Sequence, residues 1–152
     1  MAKIDPLTAL LNRQSYYKDI ESLGDKVTGV ASVDMNELKY INDNFGHSAG
    51  DEAINTIARV LLENCGRGGT AYRIGGDEFV ILYENASEET IVGSIDTMRK
   101  KMSETKYTCA FGYAMKGKNE KFDDALREAD EKMYRDKAEQ KKKKNEQTVS
   151  VG

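Results

Sequence analysis

The stretch that most restricts the fold of this chain is residues 70–84, which read TAYRIGGDEFVILYE. Two runs rich in β-branched, aromatic and aliphatic residues, TAYRI and EFVILYE, stand on either side of Gly75-Gly76-Asp77. Turn residues between two such runs predict a pair of antiparallel strands joined by a tight turn. The fold must therefore contain a β-hairpin in the middle of the chain.

The other segments predict helices and strands that alternate around this hairpin. KVTGVASVDM, at residues 26–35, is mostly apolar on both faces, which is typical of a strand covered on both sides. YTCAFGYAM, at residues 107–115, predicts another strand. Apolar residues at helical spacing predict helices over residues 9–23, from Asn36 as N-cap, after the loop GHSAGD, over residues 87–101 and from Phe122.

This order, αβααββαβα, contains a β-α-β-β-α-β core. Such a core, with a central antiparallel sheet flanked by helices, is the ferredoxin-like arrangement of the α+β class. A length of 152 residues suits one domain over residues 1–152, with its core at residues 5–140. Residues 141–152 are charged and then polar, which predicts a frayed or disordered tail.

Composition argues against several classes of protein. Charges of both signs are interspersed and the net charge is −3, so no basic face indicates nucleic-acid binding. The two cysteines have no CxxC spacing, which disfavours a disulfide framework or a zinc site and favours a cytoplasmic location. No apolar run approaches the roughly 20 residues of a membrane span, and the first residues lack the apolar stretch of a signal peptide. We expect a soluble chain.

Three carboxylates stand where predicted strands end or turn. Asp34 follows an apolar strand, and Asp77 and Glu78 lie at the hairpin. If the two strands are neighbours, the three acids converge, and their mutual repulsion favours a bound cation, for which oxygen ligands select Mg²⁺ or Mn²⁺. The simpler alternative is a plain hairpin turn with a solvent-facing Glu78. Two consecutive acids, Asp77 and Glu78, beside an apolar strand argue against a plain hairpin turn.

A second group of polar residues follows Asp34. A strand that ends there and a helix that begins near Asn36 leave free backbone N–H groups beside Lys39, which is the geometry of a phosphate site. The alternative is a solvated surface lysine. Asn42 and Asp51 carry groups that can pair with a purine edge, although a surface Asn and an N-cap Asp are the simpler interpretation.

Four motifs in order resemble one family over almost the whole chain. RIGGDEF and DMNELKYINDNFGHSAGD, with DPLTALLNR near the start and ADEKMYRDK near the end, closely resemble the GGDEF-domain diguanylate cyclases. The resemblance implies a fold related to adenylyl cyclase and polymerase palm domains. It also implies condensation of two GTP into cyclic di-GMP, with release of two pyrophosphates, across a homodimer whose protomers each hold one GTP.

The resemblance assigns roles by position. It implies that two Mg²⁺ ions, or Mn²⁺, are held by Asp34, the carbonyl of Met35, Asp77 and Glu78. The resemblance also implies that Asp77 and Glu78 are the catalytic acids, Asp77 corresponding to the base that takes the 3′-hydroxyl proton. The implied substrate-binding residues are Asn42 and Asp51 at guanine, His47 at the substrate, Lys39, Lys137 and more weakly Lys141 at phosphates, the backbone at Glu37 and Leu38, and Gly75 and Gly76, which leave room for the nucleotide.

The chain departs from the family pattern at a few positions. Asn36 replaces a frequent Asp, Leu38 a frequent Phe, and Ala9 a frequent Gly. Gly66 and Gly69 occupy the positions of the product-binding RxxD motif, so we predict no feedback inhibition through that site.

Two other activities compete with the diguanylate cyclase interpretation. One is a catalytically weak GGDEF module that binds GTP as a regulatory or interaction domain. The other is a relative that makes cyclic GMP-AMP, against which Asp51 argues. Family members usually carry a sensory or receiver domain ahead of the cyclase, so we expect a regulatory domain upstream and weak dimerisation of this domain alone.

Overall fold

The helices and strands of the computed structural model follow the predicted order αβααββαβα. The structure describes residues 3–151, and the side chains of residues 3–146. A short 3-10 turn, Gly24–Lys26, separates the first helix from the first strand. The elements are α1 (Arg13–Leu23), β1 (Val27–Met35), α2 (Leu38–Phe45), α3 (His47–Asn64), β2 (Gly69–Arg73), β3 (Glu78–Glu84), α4 (Glu88–Ser103), β4 (Cys109–Met115) and α5 (Phe122–Val151).

The four strands form one antiparallel sheet in the order β2-β3-β1-β4. β2 and β3 are the predicted hairpin, and β1 lies between β3 and β4. Alternate residues of β1 enter two separate apolar cores, Val33 on the side of α3 and α4, and Val30 on the side of α1 and α5. The prediction of an α+β fold with a strand covered on both faces is confirmed.

Helix α5 lies directly on β4 because Gly112 has no side chain. A Cβ at Gly112 would lie 2.8 Å from the carbonyl carbon of Lys132 and closer still to backbone atoms of Ala129 and Met133. Ala125 and Ala129 are buried against the same face of the sheet. Small residues therefore fix the point where α5 crosses the sheet.

The first helix begins later than the sequence predicts. It starts at Arg13, where the Asn12 side chain accepts a hydrogen bond from the backbone N–H of Ser15 at 2.9 Å, and not at Ala9. Ala9 has a φ of 64°, which a right-handed helix excludes. The carboxylate of Asp5 instead closes a turn by accepting from the N–H and hydroxyl of Thr8 at 2.9 and 2.8 Å.

Three further expectations about helix ends are wrong. Asn36 does not cap α2, since Glu37 is the N-cap residue, with a φ of 62°. His47 and Asp51 lie within α3 and not in a loop, so the alternative role of Asp51 as an N-cap is also wrong. The structure describes α5 as continuing to Val151, within the residues 141–152 for which the sequence predicts a frayed or disordered tail, and that expectation stays a prediction.

Candidate active site

The register of the sheet brings the predicted acids together at one end of β1. Asp34 lies directly opposite Glu78 on β3. The turn before β3 is fixed to the same strand, because the Met35 N–H donates to the carbonyl of Asp77 at 2.9 Å. The hairpin therefore places its two acids beside the end of the central strand.

Asp34 is a buried carboxylate with only part of its charge balanced. Its Oδ2 forms an ion pair with Lys137 of α5, while Oδ1 is buried and is the one buried side-chain polar atom without a hydrogen-bond partner among the described residues. Burial raises the pKa of Asp34, and the charge of Asp77 adds to this effect, against the opposing hydrogen bond from Lys137. An oxygen in this state suits an incoming cation.

Glu78 is more exposed but is surrounded by other acids. Partial burial raises the pKa of Glu78, and repulsion from Asp34, Asp77 and Asp130 raises it further, while Arg13 opposes the shift. The charges of these acids therefore act on Glu78 without forming one cluster, and a cation bound near Glu78 would relieve their repulsion.

The donor set fits a metal that is shared with a ligand better than a closed protein cage. Within residues 3–151, no three or more His, Cys, Asp or Glu side chains are grouped so as to hold an ion by themselves. Mg²⁺ commonly takes only one or two carboxylates and completes its shell with water and substrate phosphates. Asp34, Glu78 and a main-chain carbonyl are compatible with that mode.

A helix N-terminus opens next to these acids. No side chain of the described residues caps α2, whose N-cap residue Glu37 has a left-handed backbone. The first N–H groups of α2, beginning at Leu38, therefore remain available to an anion. Lys39 extends into solvent from the same turn, 92% exposed, and pairs with Asp43 at 3.1 Å.

Helix α5 covers this corner with a polar stripe of Lys137, Gln140 and Lys144. Lys137 contacts Asp34, the Gln140 Oε1 accepts from the amide of Asn36 at 2.6 Å, and Lys144 pairs with Glu37. Lys141 lies on the same helix and lines a cavity of ≈ 790 Å³ beside this stripe. The predicted phosphate residues Lys137 and Lys141 therefore line one cavity together with Asn36 and Glu37, the two residues that precede α2.

The predicted guanine readers lie on the α2–α3 hairpin. Gly50 is buried against Asn42, since a Cβ at Gly50 would lie 2.8 Å from Asn42 Cγ and closer still to Oδ1. Asp51 follows Gly50 on α3 and is exposed, as is His47 at the start of that helix. The structure thus places Asn42 beside the turn that carries Asp51, without showing what any of the three binds.

Sequence reasoning missed the residue that organises the hairpin turn. The guanidinium of Arg73 donates to the carbonyl oxygens of Gly75 and Gly76 at 3.2 and 3.0 Å, and pairs with Asp5 at 3.1 Å. Asp5 belongs to the motif DPLTALLNR and Arg73 to the motif RIGGDEF. The presence of both motifs in one chain was the only sequence signal for this ion pair. Gln140 was missed as well, because its partner Asn36 is 104 residues away.

The backbone at residues 66–69 has a conformation that favours glycine over the residues of an RxxD motif. Gly66 has a φ of 79°, and Gly68 a φ of 80°. A Cβ at Gly69 would lie 3.1 Å from the carbonyl carbon of Cys65 and closer to its oxygen. An arginine at 66 or an aspartate at 69 would therefore strain this turn.

These features define an α+β domain of the palm type, with carboxylates and an uncapped helix N-terminus at one end of its central strand. The family described as "Diguanylate cyclase, GGDEF domain" matches residues 2–143, and the chain belongs to this family. Within residues 3–151, no helix is long and apolar enough to traverse a bilayer.

Two proteins of Escherichia coli strain K12 are similar in sequence. Diguanylate cyclase DgcM is 32% identical over 146 residues, which are 88% of this chain and 35% of that protein. Diguanylate cyclase DgcN is 32% identical over 154 residues, which are 91% of this chain and 38% of that protein. The chain therefore spans little more than a third of the length of either relative.

Solved structures share the fold. The GGDEF domain of DgcB from Caulobacter crescentus, in complex with c-di-GMP, matches with a TM-score of 0.81 at 24% identity, over 91% of both chains. A microbial GGDEF domain with a novel mode of interaction with cyclic di-GMP matches with a TM-score of 0.76 at 30% identity, over 91% of this chain and 95% of that one.

Proposed function

We propose that this protein is a diguanylate cyclase, which joins two GTP molecules into cyclic di-GMP and releases two pyrophosphates. The observation that carries the proposal is the pairing of Asp34 with Glu78 at the end of β1, where a buried carboxylate oxygen lacks a partner. This pair lies beside the uncapped N-terminus of α2. Acids that attract metal and N–H groups that attract phosphate are what a nucleoside triphosphate requires.

The acids would hold the metal. Asp34, the carbonyl of Met35, Asp77 and Glu78 are the proposed ligands of Mg²⁺ or Mn²⁺, two ions per site. Such ions neutralise the charge on phosphate oxygens and favour ionisation of an attacking hydroxyl. Asp77 is the proposed base that takes the proton of the 3′-hydroxyl before that oxygen attacks the α-phosphorus.

Other residues bind and orient the nucleotide. Lys39, Lys137 and Lys141, with the amides at Glu37 and Leu38, are the proposed phosphate contacts. Without a nucleotide, Lys137 balances the charge of Asp34, and it lies close enough to this corner to turn toward a phosphate. Asn42, His47 and Asp51 are the proposed contacts to the guanosine, and Gly75 and Gly76 leave space beside it. Each protomer of a homodimer holds one GTP in this proposal.

Product analysis tests the proposal. The full-length protein is incubated with Mg²⁺ and GTP, and separately with GTP and ATP, and the products are resolved by chromatography. Cyclic di-GMP from GTP alone is expected, and Asp77→Asn is expected to lower the rate at least about a hundredfold, as for a lost general base. The matched control Asp96→Asn, on an exposed face of α4, is expected to retain the rate.

The competing functions give different results in the same experiment. GTP binding without product supports a regulatory GTP-binding module and overturns the cyclase proposal. A mixed dinucleotide formed only with ATP present supports a hybrid cyclase. A rate per protomer that falls on dilution supports catalysis across a dimer, whereas a constant rate contradicts it.

The RxxD prediction has its own measurement. Initial rates are recorded at rising concentrations of cyclic di-GMP and at two GTP concentrations. We expect no inhibition beyond competition with GTP, since Gly66 and Gly69 supply neither the cation nor the carboxylate of that motif. Inhibition that persists at saturating GTP and is lost when residues 66–69 are altered would contradict the prediction.

A further inference from the structure

Polar side chains of α5 are hydrogen-bonded to the free edge of the sheet. Among the described strands β4 pairs only with β1, so the backbone groups on its other side need different partners. The Oδ2 atom of Asp136 accepts from the N–H of Phe111 at 2.8 Å, and Nε2 of Gln140 donates to the carbonyl of Cys109 at 2.9 Å. Arg99 of α4 donates to the same carboxylate oxygen at 3.0 Å and to the Phe111 carbonyl at 3.3 Å. Side chains therefore pair with this edge where a further strand would otherwise do so.

These contacts fix which way the Gln140 amide faces. Its Nε2 also donates to Oδ2 of Asp136 at 3.3 Å, so this end of the amide meets two acceptors, a carbonyl and a carboxylate. The reversed amide would place an oxygen against both acceptors and lose both hydrogen bonds. Oε1 must therefore face away from β4, and it accepts from Nδ2 of Asn36, the residue after β1, at 2.6 Å.

Asn36 in turn holds the segment that leads into α2. Its Nδ2 also donates to the Thr108 hydroxyl at 3.0 Å, and its backbone N–H donates to the Thr108 carbonyl at 2.9 Å. The next residue, Glu37, is the N-cap of α2 and has a φ of 62°, which a residue other than glycine keeps only where surrounding contacts maintain it. The direction of the first N–H groups of α2 follows from this segment, and the Asn36 amide ties it both to the start of β4 and to α5.

We propose that Gln140 is a positioning residue for nucleotide binding, which acts through Asn36 to fix the first N–H groups of α2 where they meet phosphate. This inference rests on the proposed binding of GTP at that helix end. Gln140 contacts no phosphate in this role. The same hydrogen bond favours Asn over the Asp that is frequent in the family at position 36, because Oε1 of Gln140 needs an N–H donor and a carboxylate supplies none.

Binding measurements on the full-length protein with two ligands test this role. Calorimetry gives the dissociation constant of a non-hydrolysable GTP analogue with Mg²⁺, and ligand-observed NMR gives that of guanosine, which carries no phosphate. Gln140→Ala is expected to weaken binding of the GTP analogue about three- to tenfold, as for the loss of one hydrogen bond, and to change guanosine affinity by less than about twofold. The matched control Glu139→Ala, at the neighbouring exposed position of α5, is expected to leave both affinities unchanged.

A double-mutant cycle tests the path through Asn36. Once Asn36 is alanine, the link to α5 is already broken, so Gln140→Ala is expected to weaken binding of the GTP analogue by less than about twofold further. Effects of Asn36→Ala and Gln140→Ala that simply multiply would overturn this path.

Stability gives a readout that needs no ligand. Asn36→Asp places a carboxylate against Oε1 of Gln140, so it is expected to lower the urea midpoint of unfolding. The drop is expected to be smaller in the Gln140→Ala background, where that oxygen is absent. An equal drop in both backgrounds would overturn the assigned orientation of the Gln140 amide.

Failure of this inference is distinguishable from failure of the proposed cyclase. Cyclic di-GMP formation by the wild-type protein, with unchanged affinity of Gln140→Ala for the GTP analogue, would overturn the positioning role alone. Weakened binding in Gln140→Ala, without any product from the wild-type protein, would overturn the cyclase activity alone. Equal weakening of guanosine and the GTP analogue would show a merely structural role and overturn the inference. Absence of GTP-analogue binding to the wild-type protein would overturn both.

Discussion

The contact between Gly50 and Asn42 gives a direct test of how guanine is recognised. In Gly50→Ala, the new Cβ would lie 2.8 Å from Asn42 Cγ and closer to Oδ1, far inside van der Waals contact. The third nearest atom is Nδ2 of the same side chain, at 3.4 Å. Because the three nearest atoms all belong to Asn42, we expect rotation of this amide to relieve the clash.

The expected effect is a loss of nucleotide binding without a loss of folding. Moving the amide forfeits its hydrogen bonds to guanine, worth about 1–2 kcal/mol, or about a five- to thirtyfold weaker GTP affinity. Alanine in place of glycine inside a helix stabilises by about 0.5–1 kcal/mol, which offsets the cost of rotating Asn42. The variant is therefore expected to remain folded.

Titration calorimetry with a non-hydrolysable GTP analogue measures this effect, and the ATP analogue serves as a second ligand. The ratio of the affinities for the GTP and ATP analogues should fall in Gly50→Ala, since the Asn42 amide is proposed to bind guanine only. Gly93→Ala is the matched control, a helical glycine of α4 whose new Cβ would meet no described atom within 4 Å. Unchanged GTP affinity in Gly50→Ala, with Gly93→Ala also unchanged, would refute the assignment of Asn42.

Three further predictions follow from the geometry. Asp34→Asn is expected to unfold at the same or a higher temperature at pH 7 while losing Mg²⁺-dependent product. The sign follows because burial raises the pKa of Asp34, so the charged form destabilises the folded state above the unfolded pKa of about 3.9. The unfolding temperatures of Asp34→Asn and the wild-type protein should therefore converge at lower pH. Ala9→Gly is expected to raise the free energy of unfolding in urea by about 0.5–1 kcal/mol, since φ at Ala9 is 64°; no gain would contradict the strain argument. Arg73→Lys is expected to lower the free energy of unfolding by about 1–2 kcal/mol, because lysine cannot bind the carbonyls of Gly75 and Gly76 and the carboxylate of Asp5 at the same time. A double-mutant cycle with Asp5→Asn that shows no coupling would contradict this prediction.

The sheet could be predicted from the sequence because its strands carry strong local signals. Residues 27–33 are mostly apolar or small and residues 79–83 are apolar or aromatic throughout, and Gly75-Gly76-Asp77 marks the turn between β2 and β3. Once β1 and β3 are neighbours, Asp34 and Glu78 are bound to meet at one end. The convergence of the acids was therefore predictable to the level of the residue.

Details that depend on backbone conformation or distant contacts were not predictable. Nothing in the composition of DPLTALLNR shows that Ala9 has a positive φ, and nothing near Asn36 shows that its amide is already engaged by α5. Local pattern therefore located the elements, and tertiary contacts decided their ends.

Helix α5 is held where it crosses Gly112, so a small tilt at that point displaces the far end of the helix most. The backbone of Met133 is held against β4 at that point, and Lys144 lies 11 residues further along, about 16 Å away at the helical rise. A tilt of α5 by about 5° about this crossing point displaces the helix backbone at Lys144 by about 1.4 Å, while residues at the crossing scarcely move. The reach of the α5 cations over the α2 corner is thus set by a contact at a glycine on the neighbouring strand β4, which lies opposite Ser32 of β1, two residues before Asp34.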